Sequence, residues 1–272
     1  MNGPLTVRRL LIDLEAPFER HWNGGDAFRT AWFNALSMSF PVGEQFFIDA
    51  VREGARRLPE AERGHFEDQL RGFVGQEATH RRIHALFNRQ LERQGHVNTW
   101  EARIVRRLER LRGADPRHAV AITAATEHFT AILAEHLLGH PEVLAGAEPR
   151  LRTLWLWHAS EESEHRSVAF DLYRALGGDE RWRLRWFALV SWHFLTDVLR
   201  QTARNLAHDG ALWRPSTWAS AARFLFGHAG LVRRTFGPWR AYRSLHFHPR
   251  QQGGSLGERW LRDNSGDYNA VG

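Results

Sequence analysis

A four-helix bundle with a helical extension, all-α throughout, is what the sequence predicts, and three observations carry the prediction. Phe66, Leu70, Phe73, Glu77, His80, His84, Phe87 and Leu91 follow one another at alternating steps of four and three, the period of one buried helix face. Leu151, Trp155, His158, Glu162, His165, Ala169, Leu172 and Leu176 do the same. No strand-period run and no low-complexity tract interrupts the chain, so nothing competes with helix along its length.

The elements follow in order. Residues 1–25 form a lead-in with a short helix expected near Val7 to Leu14, closed by Asn23-Gly24-Gly25. The bundle occupies 26–179. Its first helix is expected over 26–58 with an interruption near Pro41, and its second over 60–94, stopping before Gly95. An amphipathic segment from Thr99 to Leu111 leads to a third helix over 116–139, opened by Asp115-Pro116 as cap and first residue and ended by Gly139-His140-Pro141. A fourth is expected over 148–176, up to Gly177-Gly178. A Trp- and Arg-rich extension covers 180–250, and a loosely ordered Gly-rich tail covers 251–272.

Both apolar stripes carry Glu-x-x-His, at Glu77/His80 and Glu162/His165, and each is preceded by a further acid, Glu44 or Glu127, at 33 and 35 residues' distance. Residues three apart project from one helix face, so a Glu and the His after it reach one ion while a Glu from a neighbouring helix bridges or caps the pair. An unpaired carboxylate in a bundle interior costs several kcal/mol or protonates, and divalent iron or manganese removes that cost. The pattern matches the ligand arrangement of ferritin-like carboxylate proteins. Glu44, Glu77, His80, Glu127, Glu162 and His165 are therefore the candidate ligands of a di-metal centre. His158, one turn before Glu162, is either an additional ligand or a core histidine bonded to a ligating carboxylate; His84, one turn after His80, has the same two readings. Glu135, Glu161 and Glu164 fall off the stripes and read as solvated or as supports of the ligands.

The Phe40-Pro41-Val42-Gly43-Glu44 segment, Gln76-Glu77-Ala78-Thr79-His80, Glu127, Glu162-Ser163-Glu164-His165 and Phe247-His248-Pro249 resemble the bacterial family labelled predicted metal-dependent hydrolase, over roughly residues 20–250. The resemblance implies a ferritin-like fold and leaves His248 a structural or pocket role beside capping the Pro249 turn. The ligand pattern also resembles that of the p-aminobenzoate N-oxygenase group of di-iron enzymes, in which an extra His one turn before the last Glu-x-x-His binds iron, the position His158 occupies. Their substrate is not implied. Because hydrolytic binuclear sites are commonly Asp- and His-rich on α/β scaffolds, and ferritin-like bundles most often handle oxygen, the expectation is a di-iron oxygenase or oxidase. It would use two iron ions (manganese or a mixed pair as substitutes), O2, an electron donor and a small hydrophobic substrate. A metal-dependent hydrolase at the same site and an iron-storage protein are the alternatives.

Composition bounds the rest. The 272 residues contain no Cys, which excludes disulfides, Cys-based zinc sites and thiol catalysis. All 37 basic side chains are Arg and lie among 31 acids, net +6, a dispersion that does not point to nucleic acid. No basic segment followed by an apolar one opens the chain, so a cytoplasmic location is expected. The segment Arg185 to Arg200 is apolar but shorter than the ~20 residues needed to span a bilayer. The extension either roofs the metal pocket or lays an Arg/Trp face on a membrane surface; a homodimer is the other expected partner.

Overall fold

The computed structural model describes residues 5–271, and the parts of the lead-in and tail at 1–4 and 272 lie outside them. The chain is helical, as expected, with ten α-helices and one two-stranded ribbon among the described residues. Helix α1 (Ala27–Arg57) pairs with α2 (Glu60–Arg93), and α4 (Pro116–Gly139) pairs with α5 (Pro149–His165) and α6 (Val168–Ala175). α3 (Trp100–Leu108) links the two pairs. α7 (Glu180–His208) lies against α1 and α4, α8 (Pro215–Phe226) against α1, and α9 (Leu231–Ala241) against α4. α10 (Leu256–Asp263) packs on α5.

Local chemistry sets the helix starts. Asp26, Asp115 and Asp179 each accept a backbone N–H of the first turn, relieving donors that have no partner within the helix.

Four expectations are corrected. α1 runs through Pro41 without interruption. Proline removes the N–H that would bond the carbonyl four residues back, Ser37, and Asn88 Nδ2 from α2 donates to that carbonyl instead, at 2.9 Å. The fourth helix, expected to be continuous, divides at Arg166-Ser167 into α5 and α6. Here Arg166 Nε takes the Ser163 carbonyl at 2.8 Å, a carbonyl that a continuous helix would pair with the N–H of Ser167.

The ends of the chain differ most from expectation. The segment expected as a helix near Val7–Leu14 contains strand β1 (Arg8–Leu10), paired antiparallel with β2 (Tyr268–Ala270) in the register Arg9 to Asn269. Leu10 and Leu14 are buried and Ile12 half-buried while the residues between face out, a period of two. The tail, expected to be loose, is ordered as α10 and β2. Gly257 lets α10 approach α5: a Cβ there would stand 2.1 Å from Ser163 Oγ.

The core falls into two apolar clusters. One contains Phe33, Phe87, Leu91, Leu151 and Trp155; the other contains Phe47, Phe73, Val120, Leu172 and Tyr242. Along α1, α2 and the α5–α6 pair the candidate ligands lie between residues of one cluster and those of the other, whereas Glu127 of α4 stands among residues of the second cluster. No helix among the described residues is long and apolar enough to cross a membrane, although Trp192, Leu195 and Leu199 of α7 are exposed.

Candidate metal centre

The four bundle helices converge their acids and imidazoles on one interior region. Glu44 from α1, Glu77 and His80 from α2, Glu127 from α4, and Glu162 and His165 from α5 are all buried, none more than 4% exposed. Glu77, His80, Glu162 and His165 each offer an atom within 4.8 Å of the others, and Glu44, His84 and His158 form a second such group. His165 Nδ1 lies 2.8 Å from Glu127 Oε2, while its Nε2 faces Glu77 Oε1 at 3.6 Å and Glu162 Oε1 at 3.8 Å. His80 Nδ1 stands 3.4 Å from Glu162 Oε1. Ring packing holds the imidazoles: His80 stacks on His158 at 4.2 Å and meets Trp157 edge-on, and Phe73 does the same for His165.

Many of these atoms have no partner. Both oxygens of Glu44 and of Glu77, Oε1 of Glu127, Oε2 of Glu162, Nδ1 of His80 and Nε2 of His165 are buried without a hydrogen bond. Buried polar atoms are rarely left so, because each costs about 1–3 kcal/mol. The donor set of carboxylate oxygen and imidazole nitrogen fits divalent metal, and a bound ion would satisfy these atoms together.

Electrostatics agree. Burial pushes the Glu77 carboxyl well above its ordinary value, with Glu127, Glu162 and Glu44 adding to the rise. Burial does the same to Glu44, against the pull of His80. Glu127 is pushed by burial to about 7 although His165 opposes it. Burial would raise Glu162 as well, but His165, His158 and His80 together bring it well below the usual carboxylate range. For His80, burial is outweighed by bonds to Glu161 and Glu162, and the imidazole rises to about 10. Protons alone therefore leave some carboxyls neutral and an imidazole charged; cations would let the acids ionise and the imidazoles stay neutral.

Bonding fixes the tautomers on one side of the centre. Asn88 Nδ2 donates to the Ser37 carbonyl, so Asn88 Oδ1 faces Ser37 Oγ at 2.8 Å and accepts its proton. Ser37 Oγ then accepts from His84 Nδ1–H at 2.9 Å. Burial, with His158 and His80, holds His84 well below its ordinary value, so the ring is neutral and Nε2 carries a lone pair, which accepts from His158 Nδ1–H at 2.6 Å. Burial and His80 lower His158 to about 4, leaving its Nε2 lone pair turned to Glu162 Oε1 at 2.9 Å. Two lone pairs at that separation need a cation.

Other placements were not visible in the sequence. Glu161, off the stripe, is fully buried and meets His80 Nε2 at 2.9 Å. Arg8 from β1 donates to Glu161 at 3.1 Å and to both oxygens of Glu164 at 2.7 and 3.0 Å. Glu164 also accepts from Gln76 at 2.8 Å. Only the adjacency of Glu161 to Glu162 hinted at this, and nothing marked Arg8. Glu135 accepts from Arg166 at 2.8 Å. His248 is not brought to the centre: it meets Asp171 Oδ1 at 2.8 Å and caps the turn at Pro249, because the loop before α10 carries it past α6.

An apolar cavity of ≈ 60 Å³ adjoins the cluster at His158 and Glu162, walled by Phe40, Trp155, Phe194 of α7, Phe224 of α8 and Leu231 of α9.

A family model described as predicted metal-dependent hydrolase matches residues 6–253. No curated protein and no solved structure matches the chain. The match overturns the expected oxygenase or oxidase: the family is described by hydrolysis, and no finding supports oxidation. That expectation rested on how such bundles are most often used, and a scaffold does not carry a reaction, since the same donors serve a Lewis-acid ion as well as a redox ion. The chain belongs to the predicted metal-dependent hydrolase family, whose metal dependence its buried Glu/His cluster suits.

Proposed function

We propose that the protein is a hydrolase working with two divalent metal ions on a small substrate with an apolar body. The observation that carries this reading is the set of buried, partnerless carboxylate and imidazole atoms contributed by four helices beside an apolar cavity. Glu77, His80, Glu162 and His165 would hold one ion, with Glu127 Oε1 as a further donor. Glu44 and His158 would hold the other, beside Glu162. Carboxylate and imidazole donors suit zinc or manganese, and hydrolysis demands no change of oxidation state. When bound, such a pair supplies Lewis acidity, polarising a carbonyl or phosphoryl oxygen and acidifying water near neutral pH.

The chain's own residues orient and exclude. Glu161 takes the His80 Nε2 proton and so turns Nδ1 towards Glu162; Glu127 does the equivalent for His165 through Nδ1. His84 acts behind His158, accepting from its Nδ1 and leaving Nε2 directed inward. Phe40, Trp155, Phe194 and Phe224 keep bulk water from the cavity and give an acyl or aryl group its surface. With ≈ 60 Å³ of space, the cavity selects a group of a few atoms unless α8 and α9 yield.

The test is anaerobic turnover. Chelator-treated protein, reloaded with zinc or manganese, is assayed against p-nitrophenyl carboxylic esters, anilides and phosphate esters, beside Glu77→Ala/His80→Ala. Turnover that needs metal and vanishes in the variant is expected. Absence of metal-dependent turnover on all three classes would count against the proposal.

A further inference from the structure

A second cluster of metal-binding side chains lies away from the bundle centre, where three distant parts of the chain meet. His96 follows α2, His208 and Asp209 close α7, and His21 belongs to the segment before α1. The thirteen residues from His80 to the end of α2 place the cluster roughly 20 Å along that helix from the centre, at ~1.5 Å per residue. His96, His208 and Asp209 each offer a ligand atom within 4.8 Å of the others.

The geometry points to a zinc site: we propose that His96, His208 and Asp209 bind Zn²⁺ and pin α7 to the end of α2, with His21 of the lead-in standing beside Asp209. Two independent features support it. The side chains of His96 and Asp209 are 0% and 1% exposed, yet both ring nitrogens of His96 and Oδ2 of Asp209 have no hydrogen-bond partner, and neither has His21 Nε2. His21 Nε2 stands 3.4 Å from Asp209 Oδ2, and His96 Nε2 stands 3.5 Å from Asp209 Oδ1. Both are long for hydrogen bonds. The His96–Asp209 separation is close to the ~3.3 Å between two ligands of a tetrahedral zinc with bonds of about 2.0–2.1 Å.

The surroundings prepare the donors. His208 Nε2 meets the Gln94 carbonyl at 3.1 Å; that contact needs a proton on Nε2, so the lone pair sits on Nδ1. Gly95 has φ +87°, and a Cβ there would press on the His208 ring at 3.0 Å, so only glycine lets the two imidazoles lie with centroids 4.5 Å apart. Arg20 is the competitor: its guanidinium lies 3.1 Å from Asp209 Oδ1, on a side chain 47% exposed that can withdraw into water.

The probe is zinc alone. Full-length chelator-treated protein is titrated with Zn²⁺ against a chromophoric chelator, as wild type, His96→Ala, His208→Ala and Arg20→Ala. Each histidine variant should bind one zinc per chain fewer than wild type, and Arg20→Ala should bind that zinc more tightly. Unchanged stoichiometry in a folded His208→Ala would overturn the proposal. Should His96→Ala fail to fold, His208→Ala, altered at an exposed ring, carries the test. Anomalous diffraction at the zinc edge from zinc-soaked wild-type crystals should give a peak bonded to His96 and Asp209; a peak at the bundle centre with none here would also overturn it.

Discussion

His158 Nδ1 and His84 Nε2 approach to 2.6 Å, and this contact sets which nitrogen of His158 faces the buried carboxylates. The pair belongs to a hydrogen-bonded line running from Asn88 through Ser37 and His84 to His158, every proton of which is assigned by its neighbour.

His158→Ala should therefore remove a donor and lower metal affinity at the centre, whereas His84→Ala should weaken it indirectly, by about 10–100-fold, as supports of ligating imidazoles do. Competitive titration with zinc or manganese measures both. An affinity in His84→Ala equal to wild type would reduce His84 to core filling.

Glu161→Gln should weaken binding by a similar ~10–100-fold, because a neutral amide holds the His80 ring less firmly than the carboxylate paired with Arg8 does. Metal content of protein purified without chelator gives the answer, and full occupancy would mean that His80 needs no such support.

Glu77→Ala/His80→Ala should lose metal and remain helical by circular dichroism. The substitution removes two of the polar groups that made the ion necessary, and the remaining acids can protonate at modest cost. Collapse of the helical signal would show that the centre is needed for the fold itself.

Acid should destabilise the protein through His128. Burial lowers this imidazole to about 4, the Pro238 carbonyl notwithstanding, against an unfolded value of 6.5. Between those values the unfolded chain binds the extra proton, so its contribution is fully present above pH 6.5 and is lost as pH falls to about 4, by up to roughly 3 kcal/mol. Denaturant titrations at pH 7 and pH 4.5 should differ less in His128→Gln than in wild type; equal differences would exclude His128 as the cause.

Gly253→Ala should lower the melting temperature. Gly253 has φ +91°, and a Cβ would overlap Arg166 Nη1, which bonds the Gln252 carbonyl beside Glu135's bond to Nη2. Backbone strain and displacement of Arg166 should cost about 2 kcal/mol, roughly 4–8 °C at this chain length. An unchanged transition would mean that the tail is not locked to α5 by Arg166.

The sequence by itself determined the helical class, the two apolar stripes and the placing of Glu-x-x-His upon them, since a helix face is read from neighbours three and four residues away. It also carried the motifs of the family. It was silent wherever a side chain is satisfied by a residue far along the chain: Asn88 relieving the carbonyl that Pro41 leaves free, Arg8 holding Glu161, β2 pairing with β1, and His21, His96 and Asp209 meeting beyond the end of α2. Tertiary structure alone decided these, because hydrogen-bond and electrostatic partners in a closed interior are chosen by proximity in space, and periodicity along the chain conveys only which face is buried.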